Sequence, residues 1–285
     1  DPLFTDYDKR VVYATYDVTD YFSTGSNAFG ILLGNGWYSL PTRDVFGMHD
    51  ANWHTPPKVR LNVVVEYESG ARDVIVTDRT WKWGHGEIVY NSVRSGETID
   101  HTKSVHGWNE PGFCDSLWRN VCHVPAPLGK LTADPMPPMR VAKELKPVGI
   151  TETGPGVYLV DFGENLTGWV ETRVRGSRGQ TVELQFNEVL KADGSLDTQN
   201  STWHTRGRYQ TEFLILGGDG EETFEPRFTY HGFRYMQVRG LAYKPAPEDF
   251  TAKCVHTDLQ RAGNFSCSMD KLNDLNAAVC RTLLN

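Results

Sequence analysis

The sequence of 285 residues lacks long hydrophobic runs and any excess of positive charge. Its longest apolar stretches, such as residues 29–33, are far shorter than the roughly 20 residues that a helix needs to cross a bilayer. Acidic residues outnumber basic ones by 36 to 29, giving a formal net charge of −7, so no general positive field attracts a nucleic-acid backbone or an anionic lipid surface. Nucleic acid and membranes are therefore not predicted as partners.

The cysteines and histidines lack the spacings that indicate metal or redox chemistry. None of the five cysteines forms a Cys-x-x-Cys motif, and an odd number cannot pair completely. Among the nine histidines, His49 and His54, like His101 and His106, are five residues apart, which places a pair on neither one helix face nor one strand face. No metal site is predicted. The first residues also lack the basic start and apolar stretch of a signal peptide.

Turn-forming and aromatic residues are plentiful, with 27 glycines, 15 prolines and eight tryptophans, a composition that favours β structure. Residues 59–67 alternate apolar and polar side chains, and a turn then leads to a strand-like run from Asp73, so a hairpin is predicted. Short β-rich runs are also predicted at residues 10–18 and 28–33. The six prolines in residues 125–147 exclude a central strand there and indicate a domain boundary.

Alternation resumes after the proline-rich stretch and predicts a second β sandwich. Further strands are predicted from Val157, Trp169 and Thr181 and at residues 209–216, 233–238 and 250–255. In the strand from Thr181, the apolar set is predicted to face inward and the polar set, Glu183, Gln185 and Asn187, outward. The apolar set is Val182, Leu184 and Phe186.

Only the tail has a helical period. Ser268 can cap a helix whose apolar stripe recurs at three- and four-residue steps. This stripe consists of Leu272, Leu275, Val279 and Leu283. We expect it to pack on the second sandwich or on another copy of the chain, because four large apolar side chains left wet would form an association patch. No stop signal precedes Asn285, so the helix is expected to continue beyond it.

Spacing alone nominates no active site. The carboxylate pairs Glu97 with Asp100, Asp161 with Glu164, and Glu183 with Glu188 are interpreted as structural, because charged residues commonly lie in loops and on outer strand faces. No Gly-x-Ser-x-Gly, P-loop or Gly-x-Gly-x-x-Gly motif occurs. Aromatic residues near turns could form stacking platforms for sugar rings, or could be buried at a sandwich edge. These are Trp37, Tyr38, Trp53, Trp81, Trp83 and Trp203.

Several strings follow one another through nearly the whole chain. They are Tyr16-Asp17-Val18-Thr19, Leu33-Gly34-Asn35-Gly36-Trp37-Tyr38, Pro137-Pro138-Met139-Arg140-Val141, Asp161-Phe162-Gly163-Glu164-Asn165-Leu166-Thr167-Gly168-Trp169, Phe228-Thr229-Tyr230-His231-Gly232-Phe233-Arg234-Tyr235 and His256-Thr257-Asp258-Leu259. Three more lie in their expected places: Trp81-Lys82-Trp83, Gly96-Glu97-Thr98-Ile99-Asp100 and Gly107-Trp108. Together they resemble the bacterial α-L-rhamnosidases of glycoside hydrolase family 78.

The resemblance implies an all-β chain with two β-sandwich domains, one jelly-roll-like and one concanavalin-like, and a C-terminal linker helix. The helix would lead toward an α/α barrel that this chain does not contain. Residues 1–124 are expected to form the jelly-roll-like module, which looks incomplete at its start, and residues 125–147 the proline-rich connection. Residues 148–257 are expected to form the concanavalin-like sandwich, and residues 258–285 the linker and the start of the barrel's lead-in helix.

The resemblance also implies that the catalytic activity of the family resides in the barrel, outside this chain. The family removes terminal α-L-rhamnose with inversion, using an acid and a base carboxylate spaced to admit a water, and these lie in the barrel. No catalytic residue is therefore assigned here, and the segment alone is expected to be inactive. Predicted partners are a rhamnose-containing carbohydrate, the missing barrel and, through the tail helix, a second copy. A bacterial periplasmic or extracellular location is suggested by the family alone.

Three hypotheses remain: a non-catalytic rhamnosidase segment, an independent carbohydrate-binding module, and a purely structural scaffold. The predicted carbohydrate-binding residues are Trp37 and Trp53, which flank a loop rich in Gly, Asp, Asn and His. Some relatives bind rhamnose through calcium in the first module. The residues around Asp50 and Asn52 supply no convincing equivalent, so no cofactor is predicted and calcium is left as an unsupported alternative.

Overall fold

A computed structural model describes residues 2–200 and 207–284. Its first part contains short strands: β1 Arg10–Tyr13, β2 Asn62–Glu66, β3 Arg72–Val76, β4 Lys82–Trp83, β5 Ile88–Ser92, β6 Gly96–Asp100, β7 Arg119–Asn120 and β8 Lys130–Ala133. Its second part contains β9 Met139–Leu145, β10 Gly149–Gly154, β11 Val157–Arg175, β12 Thr181–Asn187, β13 Thr211–Ile215, β14 Glu221–Phe224, β15 His231–Arg239 and β16 Phe250–Thr257, followed by helix α1 Asp270–Leu284.

One ten-stranded sheet dominates the described residues. Its strands follow the order β5-β6-β13-β12-β15-β11-β16-β9, with β10 and β14 also paired to β11. The 19-residue β11 changes partners along its length, because a register shift between Asp161 and Leu166 interrupts its pairing with β15, and its second half pairs with β16 and β14. This bend curls the sheet over its own core, giving the sandwich that the alternation predicted.

The main core lies inside this sheet. Strand alternation directs the apolar side chains of β11, β12 and β15 to one side. Val160, Val182, Leu184, Phe233 and Val238 are each completely buried. The prediction that Asn187 faces outward is wrong. Its side chain is buried, and its Nδ2 donates to the Asp197 carbonyl at 2.6 Å.

The first part is held by small sheets. The hairpin is confirmed: β2 pairs antiparallel with β3, and the Tyr67 N–H donates to the Ala71 carbonyl. β1 pairs parallel with β8, and β4 pairs antiparallel with β7. Two sequence predictions are wrong here. The strand predicted at residues 10–18 covers only Arg10–Tyr13, and residues 28–33 form no strand.

The two parts share the ten-stranded sheet. β5 and β6 come from the first part, and β6 pairs in parallel with β13 of the second, with Leu214 opposite Ile99.

In the proline-rich stretch, β9 occupies a proline-free interval between Pro138 and Pro147 and lies last in the strand order, so it is an edge strand rather than a central one. The division into four segments is not tested by this topology and stays a prediction.

Helix α1 begins at Asp270, two residues after the predicted cap Ser268. The prediction that its apolar stripe packs on the sandwich is wrong: Leu275 is 59% exposed and Leu283 75%. The half-buried residues of the helix are Asn273, Asn276 and Cys280 instead. An ion pair at 3.5 Å joins Arg281 of the helix to Glu164 of β11, while the stripe faces outward. In the described residues, no helix is both long and apolar enough to cross a membrane.

Candidate functional site

An open cavity of about 300 Å³ lies in the first part of the chain, and we call it the aromatic cavity. It is enclosed by the loop at residues 26–29, the start of β4, and residues 108–118. Five aromatic residues line it: Phe29, Trp81, Trp108, Phe113 and Trp118. The polar and charged side chains of its lining include Asn27, Lys82, Glu110 and Asp115.

The rings are positioned by close packing and hydrogen bonds. Trp108 and Trp118 stack with centroids 6.4 Å apart, and Phe113 meets Trp118 edge-on at 5.4 Å. Gly30 and Gly84 allow this approach, since a Cβ on Gly30 would lie 2.3 Å from the Trp108 ring and one on Gly84 2.7 Å from Trp118. Close packing against Gly30 and Gly84 therefore positions the Trp108 and Trp118 rings.

Trp81 is fixed from two sides. Its indole Nε1 donates to the Val76 carbonyl at 3.1 Å, and its own carbonyl accepts the Val121 N–H at 3.0 Å. These bonds connect the cavity to the end of β3 and to the segment after β7. The indole therefore has a defined orientation at the cavity.

One ion pair lies among the rings. The Lys82 ammonium donates to Asp115 Oδ1 at 2.7 Å and to the Asp115 carbonyl at 3.3 Å. Asp115 is half exposed, so its remaining acceptor capacity faces solvent. Carboxylate acceptors beside flat apolar rings suit a sugar, whose hydroxyls need hydrogen-bond partners and whose C–H face packs on aromatics.

A second cavity of about 300 Å³ lies beside the first and shares Trp118. Trp83, His85 and Leu117 line it, and Leu117 is 94% exposed. Trp83 meets the His85 ring edge-on at 5.1 Å. The two cavities therefore meet at the Trp118 side chain.

The predicted residues Trp37 and Trp53 lie elsewhere, in a half-buried aromatic cluster. Trp37 has Phe4 at 5.9 Å and the Arg94 guanidinium 5.2 Å from its ring, and Trp53 meets Tyr7 at 5.7 Å. Neither lines the aromatic cavity. Their role in sugar binding stays a prediction, and Trp203 lies outside the described residues.

Sequence reasoning included Trp81 among the aromatic candidates but missed Trp108 and Trp118. A signal was present: residues 108–118 hold two tryptophans, a phenylalanine, a glutamate and an aspartate around Pro111-Gly112. Such a segment concentrates flat rings and hydrogen-bond acceptors in one loop. Its approach to β4 depends on the β4–β7 pairing, which is not visible as a sequence period.

The candidate carboxylate pairs have cationic or hydrogen-bonded partners. Arg234 binds Asp161 through two 2.8 Å bonds, and the Arg234 guanidinium lowers the pKa of Asp161. Asp50, which was considered above for a calcium site, contacts His49 Nε2 at 3.1 Å. Across the residues that the structure describes, no three or more His, Cys, Asp or Glu side chains are grouped to hold a metal ion.

Comparison with known proteins identifies both parts of the chain. Residues 1–143 match the α-L-rhamnosidase N-terminal domain, and residues 151–256 match the bacterial α-L-rhamnosidase concanavalin-like domain. The chain belongs to the α-L-rhamnosidase family. The family resemblance and the all-β, concanavalin-like fold are thereby confirmed.

Its relatives are much longer than this rhamnosidase chain. An α-L-rhamnosidase of Streptomyces avermitilis is 38% identical over 98% of the chain but only 26% of its own length, and one of Formosa agariphila is 33% identical over 96% and 29%. The solved α-L-rhamnosidase of Dictyoglumus thermophilum superposes with a TM-score of 0.90 at 38% identity, covering 100% of this chain and 31% of that one. The Streptomyces avermitilis enzyme complexed with L-rhamnose gives a TM-score of 0.86 at 36% identity, over 98% of this chain and 26% of that one.

Proposed function

We propose that this chain is a non-catalytic segment of an α-L-rhamnosidase that removes terminal α-L-rhamnose from glycans or glycosides with inversion. The observation that carries the proposal is the match to both rhamnosidase domains along nearly the whole chain, combined with coverage of only 26% to 31% of these relatives. Inversion needs an acid and a base carboxylate on opposite sides of the scissile bond. We place both in the part of the parent polypeptide outside this segment.

The segment's first role is to support that catalytic part. The stripe of α1 stays exposed, and the edge strand β9 exposes Met139 and Val141 as well. Burying each large apolar side chain would contribute about 1.5 to 3 kcal/mol. We propose that the remainder of the parent covers this surface.

Activity measurements test this role. The isolated 285-residue protein should not hydrolyse an aryl α-L-rhamnoside, whereas the full-length parent should. Turnover by the pure segment that disappears when one of its own carboxylates is replaced would contradict the proposal.

The segment's second role is to bind a rhamnose-containing carbohydrate in the aromatic cavity. Its stacked Trp108 and Trp118 and its half-exposed Asp115 support this role, because a pocket that combines apolar rings with a few polar groups is typical of small-ligand sites. An independent carbohydrate-binding module would use the same groups. The rhamnosidase-segment hypothesis differs from it in one respect: it also requires the chain to support the catalytic part of a parent polypeptide.

Titration with L-rhamnose, monitored by tryptophan fluorescence, tests the cavity. At tens of millimolar sugar, well above the roughly millimolar Kd expected for a free energy of about −4 kcal/mol, the wild type should be quenched. Trp118→Ala should lose the response and Trp37→Phe should keep it. Loss in Trp37→Phe or Trp53→Phe instead would support the platform predicted from the sequence, and no response in the wild type would favour a purely structural scaffold.

A further inference from the structure

The second cavity, which we call the Trp83 cavity, differs from the aromatic cavity in the charge of its lining. Among the described residues its lining includes a guanidinium but no carboxylate: Trp83, Gly84, His85, Leu117, Trp118 and Arg119. The aromatic cavity is lined by two carboxylates, those of Glu110 and Asp115, and by the Lys82 ammonium. Because both cavities include Trp118, a ligand that extends across this ring passes from acceptor groups to a cation.

The pairing of β4 with β7 brings Arg119 to the Trp83 cavity. Arg119 lies directly opposite Trp83 in this antiparallel pair, and Asn120 lies opposite Lys82. Residues opposite each other project to the same face of the ribbon, with Cβ atoms about 5 Å apart, whereas neighbours along a strand project to opposite faces. The same two strands therefore direct Trp83 and Arg119 to one cavity and Lys82 to the other.

The Arg119 side chain has no partner within the described part of the chain. It is exposed, and its guanidinium takes part there in no ion pair, hydrogen bond or ring stacking. By contrast, Lys82 is bound to Asp115 at 2.7 Å, and the Arg94 guanidinium stacks on the Trp37 ring at 5.2 Å. The planar fork of N–H donors on Arg119 is therefore available to a ligand.

Apolar groups flank this guanidinium. Trp83 is 41% exposed and Leu117 94%, and the Trp118 ring is packed against Gly84, where a Cβ would lie 2.7 Å from it. A sugar that packs its C–H face on Trp83 would bring an anionic substituent to Arg119, because the two residues share one face of the ribbon. Guanidinium groups bind carboxylates and similar oxygen anions through paired, charge-assisted hydrogen bonds.

We propose that the Trp83 cavity is a subsite for an anionic oxygen group, so that the carbohydrate bound by this chain carries a uronate carboxylate or a sulfate ester beside its rhamnose. This inference rests on the proposed binding of a rhamnose-containing carbohydrate in the aromatic cavity, and it narrows that ligand to acidic carbohydrates. The hydroxyls of the rhamnose would bond to Asp115, and the anionic group would bond to Arg119.

The charge of the whole chain makes the local cation necessary. The formal net charge is −7, so the overall field does not attract an anionic carbohydrate. Attraction must come from Arg119 itself, and it is confined to a distance of about 10 Å at 0.1 M salt. Binding of an acidic carbohydrate should therefore weaken as salt is added, whereas binding of a neutral rhamnoside should not change.

Matched ligands test the subsite, with affinities measured on the 285-residue chain from the NMR shifts of the tryptophan indole N–H signals. The anionic probes are an L-rhamnose–uronate disaccharide and a sulfate ester of methyl α-L-rhamnoside. Their neutral counterparts are the methyl ester of the disaccharide and the unsulfated rhamnoside. At least one anionic probe should bind on the order of fivefold more tightly than its counterpart, the upper range for an exposed ion pair.

The probe with the larger preference identifies the anionic group. This preference should shrink between about 20 mM and about 500 mM salt, because screening shortens the reach of the Arg119 charge. Equal affinities within both pairs of ligands, or a preference that salt leaves unchanged, would overturn the subsite.

Variants assign the preference to Arg119. Arg119→Gln should bind both members of a pair equally, and Arg119→Lys, which keeps the charge but not the fork, should retain part of the preference. The matched control is Arg79→Gln: Arg79 is exposed, its carbonyl accepts a hydrogen bond from Asn120 of β7, and it lines neither cavity. Persistence of the preference in Arg119→Gln, or its loss in Arg79→Gln, would overturn the assignment.

The same titrations separate this inference from the proposed function. If the wild type binds the neutral rhamnoside, Trp118→Ala does not, and neither anionic probe is preferred, then the aromatic cavity binds sugar and only the anionic subsite is wrong. If the wild type binds none of the four ligands at tens of millimolar, the proposed sugar binding is wrong and the subsite is overturned with it.

Discussion

Gly168 lies in β11 where that strand has a neighbour on each side, His231 in β15 and Cys254 in β16. Its φ is +158°, and a Cβ there would lie 1.8 Å from the Lys253 carbonyl oxygen. Because that oxygen belongs to the backbone of a paired strand, moving it would disturb the β11–β16 pairing. The glycine permits a backbone approach that any side chain would block.

Gly168→Ala should therefore lower the free energy of unfolding by about 3 kcal/mol, the upper range for overpacking a fixed interior. Gly149→Ala is the matched control in the neighbouring β10, because nothing lies within 4 Å of its Cβ position; its effect should stay within about 0.5 kcal/mol. Urea unfolding of both variants measures the difference. Equal stabilities would mean that the β11–β16 contact yields to the added methyl group.

Glu222 should stabilise the fold more at neutral pH than at low pH. Its burial opposes ionisation, but the Gly217 and Gly218 N–H groups and His101 together lower the pKa of Glu222 below its ordinary value of 4.5. A carboxyl with a lowered folded-state pKa stabilises the fold above the unfolded pKa and loses that contribution as the pH falls. Melting temperatures between pH 7 and pH 3 should thus fall less steeply in Glu222→Gln than in the wild type. Parallel curves would contradict this role.

Among the elements, α1 exposes apolar side chains that another surface should cover. Leu272, Leu275 and Val279 are 43%, 59% and 49% exposed. In the isolated segment we expect this stripe to promote self-association. Leu275→Glu should shift sedimentation toward the monomer at a given concentration, with little change in melting temperature because the site is already wet. Ala277→Glu, at an exposed position of the same helix outside the stripe, is the charge-matched control, and equal sedimentation of all three proteins would contradict the expectation.

Strand alternation predicted the buried elements best. Val182, Leu184 and Phe186 face a single core, so their period of two reports the environment directly. The strand predicted at residues 28–33 is absent. This apolar run lies in a loop, where Gly30 packs against the Trp108 ring, and it joins no sheet. The helical period of the α1 stripe was visible in the sequence. Periodicity does not show which face of the helix is covered, because that depends on tertiary contacts.

The candidate site was harder to predict than the fold. The aromatic cavity needs Trp81 beside Trp108 and Trp118, and this contact is made by the pairing of two-residue strands about 40 residues apart. Elements that short carry no period. Family resemblance included Trp81 and Trp108 among its strings, but it gave no reason to place them on one surface, and Trp37 and Trp53 were favoured by their polar neighbours instead.

At the scale of the whole molecule, the sheet does not follow the chain boundary that the prolines indicate. Strands β5 and β6 precede residues 125–147, yet they extend the sheet of the second part beyond β13. Ile99 of β6 belongs to the same buried core as Leu214 and Phe186. A sandwich without residues 88–100 would expose the edge of β13 and uncover Glu212, which is 1% exposed in the complete chain.

Two fragments distinguish these boundaries. Residues 88–285 retain all ten strands of the sheet and should unfold cooperatively, whereas residues 148–285 lack β5, β6 and β9 and should unfold at a much lower temperature or aggregate. The physical reason is that the shorter fragment exposes both a sheet edge and part of the core that includes Ile99. Thermal unfolding followed by circular dichroism measures the difference, with the complete 285-residue chain as the reference. If residues 148–285 melt at the same temperature as residues 88–285, then β5 and β6 contribute nothing to the sandwich, and the proline-rich stretch is the true boundary of the folding unit.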